Sequence, residues 1–337
     1  MNIRKVLDLF CGCGGFSTGF LKAGFEVKYG IDNDKAVKKT YEYNHPNSEF
    51  ILADVRELDP NDFKDVDIVI GSPPCIEFSY AKSNPDPEKG MGLVKEFRKW
   101  ISVINPKKWI MENVEGVLKH LVFGNYPVVS ILNAADYGVP QKRKRVFTGD
   151  FCPPPKILKK EEYVSVYEAI GDIMFDNSKN VENHEIPRWR SISDQINKKI
   201  MGIHKPLILS EPSKTIIAGL YKDGYLHPRS RIEIEEYKVL NSRSFNNKGN
   251  KPFNRLTEPN QVITSSSNPK IYNNKVYRKI TVREAARIQS FEDDFIFFGS
   301  KTNQYKMVGN AVPPLLAYHL ARSIYDKKEK MGKTTLI

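Results

Sequence analysis

The chain has 337 residues, 40% of them hydrophobic and 11% aromatic, so it can bury the core of one large or two smaller domains. It has no apolar run of the roughly 18–20 residues that span a bilayer, no signal-peptide pattern and only four cysteines, and we expect a cytoplasmic protein without membrane spans or a disulfide framework. The formal net charge of +12 favours a polyanionic partner such as nucleic acid; a lysine-rich surface without such a partner is the alternative.

Apolar strand patterns alternate with helix patterns through the first 150 residues. Strands are predicted at 4–10, 27–31, 50–53, 66–70, 109–111, 126–132 and 145–148. Helices are predicted at 16–23, at 34–44 and within 89–104. This alternation is typical of an α/β fold with a doubly wound, mostly parallel sheet.

The pattern changes after residue 150. A rigid proline run at 153–155 is followed by residues 174–279, which lack the strand–helix rhythm and predict a smaller, irregular domain of short strands and loops. The helical pattern returns at Thr281, which forms a capping box with Glu284, and a last amphipathic helix is predicted at 311–328. We therefore expect one domain from 1–173 and 280–337, and a second from 174–279.

A glycine-rich loop joins the first strand to the first helix, where α/β folds hold nucleotide-like cofactors. Phe10, Gly12 and Gly14 lie in this loop. Asp32 closes the second strand and could accept hydrogen bonds from ribose hydroxyls, and Asp54 closes the third and could hold an adenine amine. The spacing fits S-adenosylmethionine better than NAD; a glycine-rich turn with two solvated carboxylates is the alternative.

Cys11 and Cys13 lie in the same loop. No second cysteine pair or histidine cluster accompanies them, so we expect no metal site and interpret both thiols as packing residues.

The segment Pro73-Pro74-Cys75 follows the fourth strand and holds a thiol at the sheet edge where such folds bind ligands. Glu112, at the end of the fifth strand, places a carboxyl group at the same edge. A nucleophile and an acid at neighbouring strand ends form a catalytic pair. The alternatives are a buried hydrophobic cysteine and a solvated carboxylate. Residues 83–90 are predicted to form a mobile loop that closes over a substrate.

Basic residues alternate along a predicted strand from Gln141 to Arg145. Gln141, Arg143 and Arg145 share one face, so two guanidinium groups could point at a ligand or phosphate; a solvated basic face is the alternative. A turn with side-chain hydrogen-bonding capacity follows at Gly309-Asn310.

Together these segments resemble, in order and over nearly the whole chain, the DNA cytosine-5 methyltransferase family of prokaryotic restriction–modification type. The segments that carry the resemblance are the glycine loop with Phe10, Pro73-Pro74-Cys75 with Phe78-Ser79, Glu112-Asn113-Val114, Gln141 with Arg143 and Arg145, the helix at 283–291, and Gly309-Asn310-Ala311-Val312-Pro313. The resemblance implies a Rossmann-like, S-adenosylmethionine-dependent methyltransferase fold. The chain departs from the family at Ile76, where glutamine is usual.

The resemblance also implies a mechanism on a flipped-out cytosine in double-stranded DNA. Cys75 would attack carbon 6 to form a covalent adduct, while Glu112 engages ring nitrogen 3 and the exocyclic amine. Arg145, supported by Arg143, would bind the ring oxygen, and carbon 5 would take the methyl group of S-adenosylmethionine. The residues implied to bind this cofactor are Phe10, Gly12, Gly14, Asp32, Asp54, Pro74 and Asn310, and residues 174–279 would recognise the target sequence.

Two other functions stay open. The first is a transfer-RNA cytosine-5 methyltransferase, whose Cys-Phe-Thr signature this sequence lacks. The second is an inactive DNA-binding accessory protein, which the presence of Cys75, Glu112 and Arg145 disfavours. We expect a monomer, with any cognate restriction endonuclease acting separately.

Overall fold

The structure is a computed structural model that describes residues 4–74, 78, 86–121, 125–174, 181–186, 190–191, 212–214, 231–240 and 270–331. Cys75, Ile76 and residues 83–85 of the predicted loop lie outside these ranges. The chain divides into two compact units. The larger unit comprises Met1–Ile186, Ile208–Tyr225 and Thr281–Ile337, and the smaller comprises Pro187–Leu207 and Leu226–Ile280.

Seven strands of the larger unit form one sheet. They are β1 (Lys5–Leu9), β2 (Glu26–Asp32), β3 (Glu49–Leu52), β4 (Ile68–Gly71), β5 (Lys108–Asn113), β6 (Val128–Asn133) and β8 (Lys144–Asp150); the two-residue β7 (Gln141–Lys142) precedes β8. Their order across the sheet is β3-β2-β1-β4-β5-β8-β6. Of these seven, β8 alone runs opposite to the other six, so the predicted mostly parallel, Rossmann-like fold is confirmed.

Helices cover both faces of this sheet. They are α1 (Gly15–Lys22), α2 (Lys38–Asn44), α3 (Pro87–Ile104), α4 (Val166–Ile170), α5 (Val282–Ile288), α6 (Lys301–Asn310) and α7 (Pro314–Met331). Apolar residues of α1 and α7 form one buried cluster with the sheet, and those of α3 form another. Among the described residues, every helix is too short or too polar to cross a bilayer.

The start of α3 corrects the predicted loop. The side chain of Asp86 accepts a hydrogen bond from the backbone N–H of Lys89 at 3.2 Å, and Pro87 takes the first helical position. Residues 87–90 are therefore helical, because aspartate at the N-cap and proline directly after it start a helix as readily as they make a turn.

The two segments that flank the smaller unit in sequence are bonded to each other inside the larger unit. We call 181–186 and 281–284 the junction segments. The His184 ring lies 2.8 Å from the Thr281 hydroxyl, and the backbone N–H of Arg283 donates to the carbonyl of Asn183 at 3.1 Å. The Asn183 side chain also exchanges two hydrogen bonds with the backbone of Phe297, at 3.0 and 3.1 Å.

In the smaller unit, β11 (Arg231–Leu240) pairs antiparallel with β12 (Lys270–Lys279) over ten residues, and β9 (Arg190–Ser191) pairs with the other edge of β12. The prediction of short strands is wrong for β11 and β12. In the larger unit, β10 (Ser213–Lys214) pairs in parallel with β7.

Candidate active site

The candidate residues lie at the edge of the sheet formed by the carboxyl ends of the parallel strands. Glu112 and Asn113 end β5, and Pro73 and Pro74 follow β4 directly. Because β8 is antiparallel, its beginning reaches the same edge, and Arg145 there lies opposite Leu132 of β6. Strand polarity thus brings acidic and basic groups that are far apart in sequence to one edge.

Glu112 and Arg145 form an ion pair at this edge. Arg145 Nε lies 3.1 Å from Glu112 Oε1, and the two side chains are 13% and 7% exposed respectively. A second guanidinium nitrogen of Arg145 donates to the Lys144 carbonyl at 2.7 Å, which fixes the group against its own strand. A carboxylate beside a guanidinium can bind a planar ligand edge that carries both a donor and an acceptor.

The proline turn is fastened to the strand that carries Glu112. The Asn113 side chain donates to the Pro73 carbonyl at 3.1 Å, and its own oxygen accepts from the Val114 backbone at 2.9 Å. Pro73 is buried and Pro74 is exposed, and Cys75 comes next in the chain, outside the described residues. Asn113 had no predicted role, although an amide directly after a strand-end carboxylate was a usable signal.

The alternation predicted for 141–145 is confirmed, but the two arginines have different partners. Gln141 and Arg143 are buried, while Lys142 and Lys144 are exposed. The same terminal nitrogen of Arg143 donates to the carbonyls of Gly309 and Ala311, each at 3.1 Å. Arg143 thus binds the C-terminal end of α6 while Arg145 faces Glu112, and the expectation that both guanidinium groups point at one ligand stays a prediction.

The glycine loop adopts the left-handed backbone that its sequence permits. Phe10, Gly12 and Gly14 have φ angles of 58°, 54° and 91°. A Cβ on Gly14 would overlap the His45 imidazole, whereas a Cβ on Gly12 would meet nothing within 4 Å. Gly14 therefore allows close packing beneath the loop, and Gly12 leaves open space beside it.

Both strand-end aspartates have hydrogen-bond partners. Asp32 accepts from the backbone N–H groups of Gly12 and Asp34, each at 2.8 Å, and burial raises its pKa. Two nitrogens of Arg56 donate to Asp54 at 2.6 and 2.9 Å, and this contact lowers the pKa of Asp54 to about 2. Asp32 thus holds the glycine loop, and Asp54 is ionised and bound to a cation.

Helix α6 packs beside the glycine loop. Lys306 Nζ lies 3.0 Å from Asp34 Oδ2, and the Cys13 thiol contacts the Met307 carbonyl at 3.6 Å. Burial raises the pKa of Cys13 to about 12, so this thiol stays protonated at neutral pH. Asn310 is exposed at the end of α6. Within the described ranges, no group of His, Cys, Asp and Glu residues is arranged to hold a metal ion.

Asp8 is a buried carboxylate that the sequence analysis missed. Ser17 Oγ donates to its Oδ2 at 2.6 Å, while its Oδ1 is buried without a hydrogen-bond partner. Burial raises the pKa of Asp8 to about 7. The signal was a carboxylate inside the apolar strand that leads into the glycine loop. The open space at Gly12, the helix start at α1 and these carboxylates fit a cofactor with ribose and amino groups.

Comparison with known proteins agrees with this arrangement. Residues 4–326 match the family of C-5 cytosine-specific DNA methylases. The Type II methyltransferase M.MthTI of Methanothermobacter thermautotrophicus is 33% identical over 98% of this chain and 99% of its own. The Type II methyltransferase M.DdeI of Desulfomicrobium norvegicum is 32% identical over 95% of this chain and 88% of its own.

Solved structures support the fold. The S. pombe Dnmt2 methyltransferase superposes with a TM-score of 0.62 at 16% identity, over 96% of this chain and 99% of that one. The Entamoeba histolytica methyltransferase EhMeth superposes with a TM-score of 0.59 at 16% identity, over 97% of this chain and 99% of that one. With the family match across nearly all its length, the chain belongs to the C-5 cytosine-specific DNA methylases and is a DNA cytosine-5 methyltransferase.

Proposed function

We propose that the enzyme methylates carbon 5 of a cytosine within a specific double-stranded DNA sequence, using S-adenosylmethionine and a covalent adduct of Cys75. The observation that carries this proposal is the largely buried Glu112–Arg145 ion pair beside the turn that leads to Cys75. Carbon 6 of a stacked cytosine is inaccessible to a protein thiol, so the base must be flipped out of the duplex.

Glu112 and Arg145 together match the polar edge of cytosine. A carboxyl group can bind ring nitrogen 3 and the exocyclic amine, and a guanidinium can donate to the ring oxygen. Because Arg145 Nε and Glu112 Oε1 are 3.1 Å apart, a base bound to one group also contacts the other. Charge that develops on the ring during attack is stabilised by these fixed groups, which need no reorganisation.

Cys75 supplies the electron pair for the new bond to carbon 6, and it leaves again when the proton on carbon 5 is lost. Asn113 fixes the backbone two residues before the thiol, at Pro73, relative to the adjacent Glu112. This attachment limits how far the nucleophile can drift from the group that binds the base.

The proposed cofactor residues lie on the glycine loop, the strand ends beside it and the end of α6: Phe10, Gly12, Gly14, Asp32, Asp54, Pro74 and Asn310. Membership of a methylase family implies a methyl donor, and S-adenosylmethionine, when bound, supplies an electrophilic methyl group. Asp32 holds Gly12 in its left-handed conformation and so preserves the open space beside the loop. Arg56 keeps Asp54 ionised, so its oxygens accept hydrogen bonds.

Residues 174–279 are proposed to recognise the target sequence, and residues 1–173 with 280–337 to carry out catalysis. The net charge of +12 supports binding to the phosphate backbone. We further propose a cytoplasmic monomer that works independently of any cognate restriction endonuclease.

The direct test is transfer of labelled methyl groups from S-adenosylmethionine to DNA and to RNA. We expect DNA to be labelled by the wild type and not by Cys75→Ala. Cys152→Ala is the matched control, since Cys152 is a partly exposed thiol outside the site. Labelling of RNA alone would favour the transfer-RNA alternative, and no labelling of either would favour the inactive accessory protein.

A DNA duplex carrying 5-fluorocytosine tests the adduct itself, because fluorine at carbon 5 blocks the release of the thiol. We expect a covalent complex with the wild type and with Cys152→Ala, and none with Cys75→Ala. Bisulfite sequencing of DNA from an expressing host identifies the target and provides the duplex.

A further inference from the structure

We propose that Arg143 is a positioning residue for the cofactor rather than part of the cytosine pocket. It holds the last turn of α6 at Gly309–Ala311, whose central residue, Asn310, is a proposed cofactor contact. This inference rests on the proposed function and goes beyond it, because it makes the residue just before β8, the strand that carries Arg145, a support of the cofactor site.

Arg143 binds the residues on either side of Asn310. One terminal nitrogen donates to the Gly309 carbonyl and to the Ala311 carbonyl, at 3.1 Å each. The side chain is 1% exposed, so these bonds form where water does not compete for the carbonyls. Asn310 lies between the two bonded residues, so these bonds restrict the movement of its backbone.

Helix physics explains why a cation suits this position. Helix α6 ends at Asn310, and the last four carbonyls of a helix lack partners within the helix. These groups carry the negative end of the helix dipole. Arg143, which lies between β7 and β8, brings a positive charge to this end from 166 residues before Gly309 in the sequence.

A glutamine pair gives the turn a second attachment. The Gln289 side chain donates to the Ala311 carbonyl at 2.8 Å, and Gln141 donates to Gln289 Oε1 at 2.6 Å. Gln141 and Arg143, two residues apart, therefore both act on this turn, while Arg145, two further on, binds Glu112. One short segment thus joins the turn beside the cofactor to the group that binds the base.

The test compares Arg143→Lys with Arg283→Lys by titrating the purified full-length variants with S-adenosylhomocysteine. Arg283 is a matched control, fully buried and bonded to the backbone carbonyls of Glu292 and Phe295, neither of which is a proposed cofactor residue. We expect Arg143→Lys to weaken binding about tenfold, equivalent to about 1.4 kcal/mol, and Arg283→Lys to leave it within about twofold. Both should unfold at lower temperature.

Steady-state kinetics separate positioning from chemistry. For Arg143→Lys we expect the KM for S-adenosylmethionine to rise while kcat at saturating cofactor stays within about threefold of wild type. Gln289→Met, which keeps the side-chain size but loses the donor to Ala311, should shift KM in the same direction by a smaller factor. If Arg143→Lys does not fold, Gln289→Met serves as the test variant.

Unchanged cofactor binding by Arg143→Lys, or an equal loss in Arg283→Lys, would overturn the inference while leaving the proposed function intact. In the first case the turn does not depend on Arg143, and in the second any buried arginine has the same general effect. A wild-type enzyme that binds no S-adenosylhomocysteine would overturn both the proposed function and this inference.

Discussion

The side-chain amide of Asn113 binds the carbonyl oxygen of Pro73 at 3.1 Å, which joins the ends of two adjacent strands next to Glu112. We expect Asn113→Leu to lower kcat by about 100-fold, because a shift of about 1 Å in a reacting group has an effect of that size. It should also cost about 1–3 kcal/mol of stability, since the Pro73 carbonyl stays buried without its donor.

Asn44→Leu is the control for this substitution. Asn44 donates to the Ile296 carbonyl at 2.8 Å, far from Glu112 in sequence and outside the proposed site. It should lose comparable stability in urea unfolding and keep its kcat. An Asn113→Leu enzyme with normal kcat would show that the Pro73 attachment does not position the nucleophile.

The Glu112–Arg145 ion pair predicts strong coupling in a double-mutant cycle. Removing one partner of a buried pair leaves an uncompensated charge and typically costs about 3–5 kcal/mol. We expect Glu112→Gln and Arg145→Met each to lower the free energy of unfolding, and the double variant to lose clearly less than their sum. Additive losses in urea unfolding would mean that the two groups do not interact in the folded protein.

Gly12 and Gly14 are expected to respond differently to alanine. Gly14→Ala should destabilise the fold by several kcal/mol, about the cost of overpacking plus left-handed strain, because the new Cβ overlaps His45. Gly12→Ala meets no neighbour and should cost about 1–2 kcal/mol through strain alone. Its methyl group would instead enter the proposed cofactor space.

The readouts are thermal unfolding and titration with S-adenosylhomocysteine. Gly12→Ala should fold and bind the cofactor product poorly, whereas Gly14→Ala should fail mainly in folding. Normal binding by Gly12→Ala would place the cofactor elsewhere.

Asp8 predicts a pH dependence of stability. Burial raises its pKa from 3.8 to about 7, so the folded state holds the proton more tightly than the unfolded chain. Below pH about 4 the group is protonated in both states and does not lower the free energy of unfolding. As the pH rises towards 7, the free energy of unfolding falls by up to about 1.4 kcal/mol per pH unit. Asp8→Asn should therefore gain stability relative to wild type across this range.

His45 affects the free energy of unfolding with the opposite sign. Burial lowers its pKa from 6.5 to about 4, so its contribution to stability is lost as the pH falls from 6.5 to about 4. The two effects oppose each other in the wild type. The difference in the free energy of unfolding between Asp8→Asn and wild type, measured at each pH, gives the contribution of Asp8 alone. A difference that does not change with pH would show that Asp8 is ionised in the folded state.

Much of the fold could be predicted from local sequence because buried parallel strands are continuously apolar. Ile68, Val69 and Ile70 of β4 are fully buried, and the run is visible without any structure. The start of α3 was missed because Asp86 and Pro87 are common in both turns and helix starts. Local composition alone does not separate these two outcomes.

The site was only partly predictable for a different reason. Strand periodicity correctly placed Arg143 and Arg145 on one face of the segment. Their partners, Gly309 and Ala311 for one and Glu112 for the other, depend on how distant elements pack. Periodicity reports which side of a strand a residue occupies and not which group it meets there.

The junction segments have a consequence for the residues that lie between them. Their hydrogen bonds, His184 to Thr281 and Arg283 to Asn183, close the large unit at the point where the intervening residues begin and end. Chain closure costs only about 0.6 kcal/mol more for each doubling of the enclosed length. The two segments of the smaller unit, Pro187–Leu207 and Leu226–Ile280, can therefore differ in length or sequence at little cost to the unit that contains Glu112 and Arg145, provided that Ile208–Tyr225 between them keeps the pairing of β10 with β7. If these segments recognise the target as proposed, the target can change while the catalytic unit stays the same.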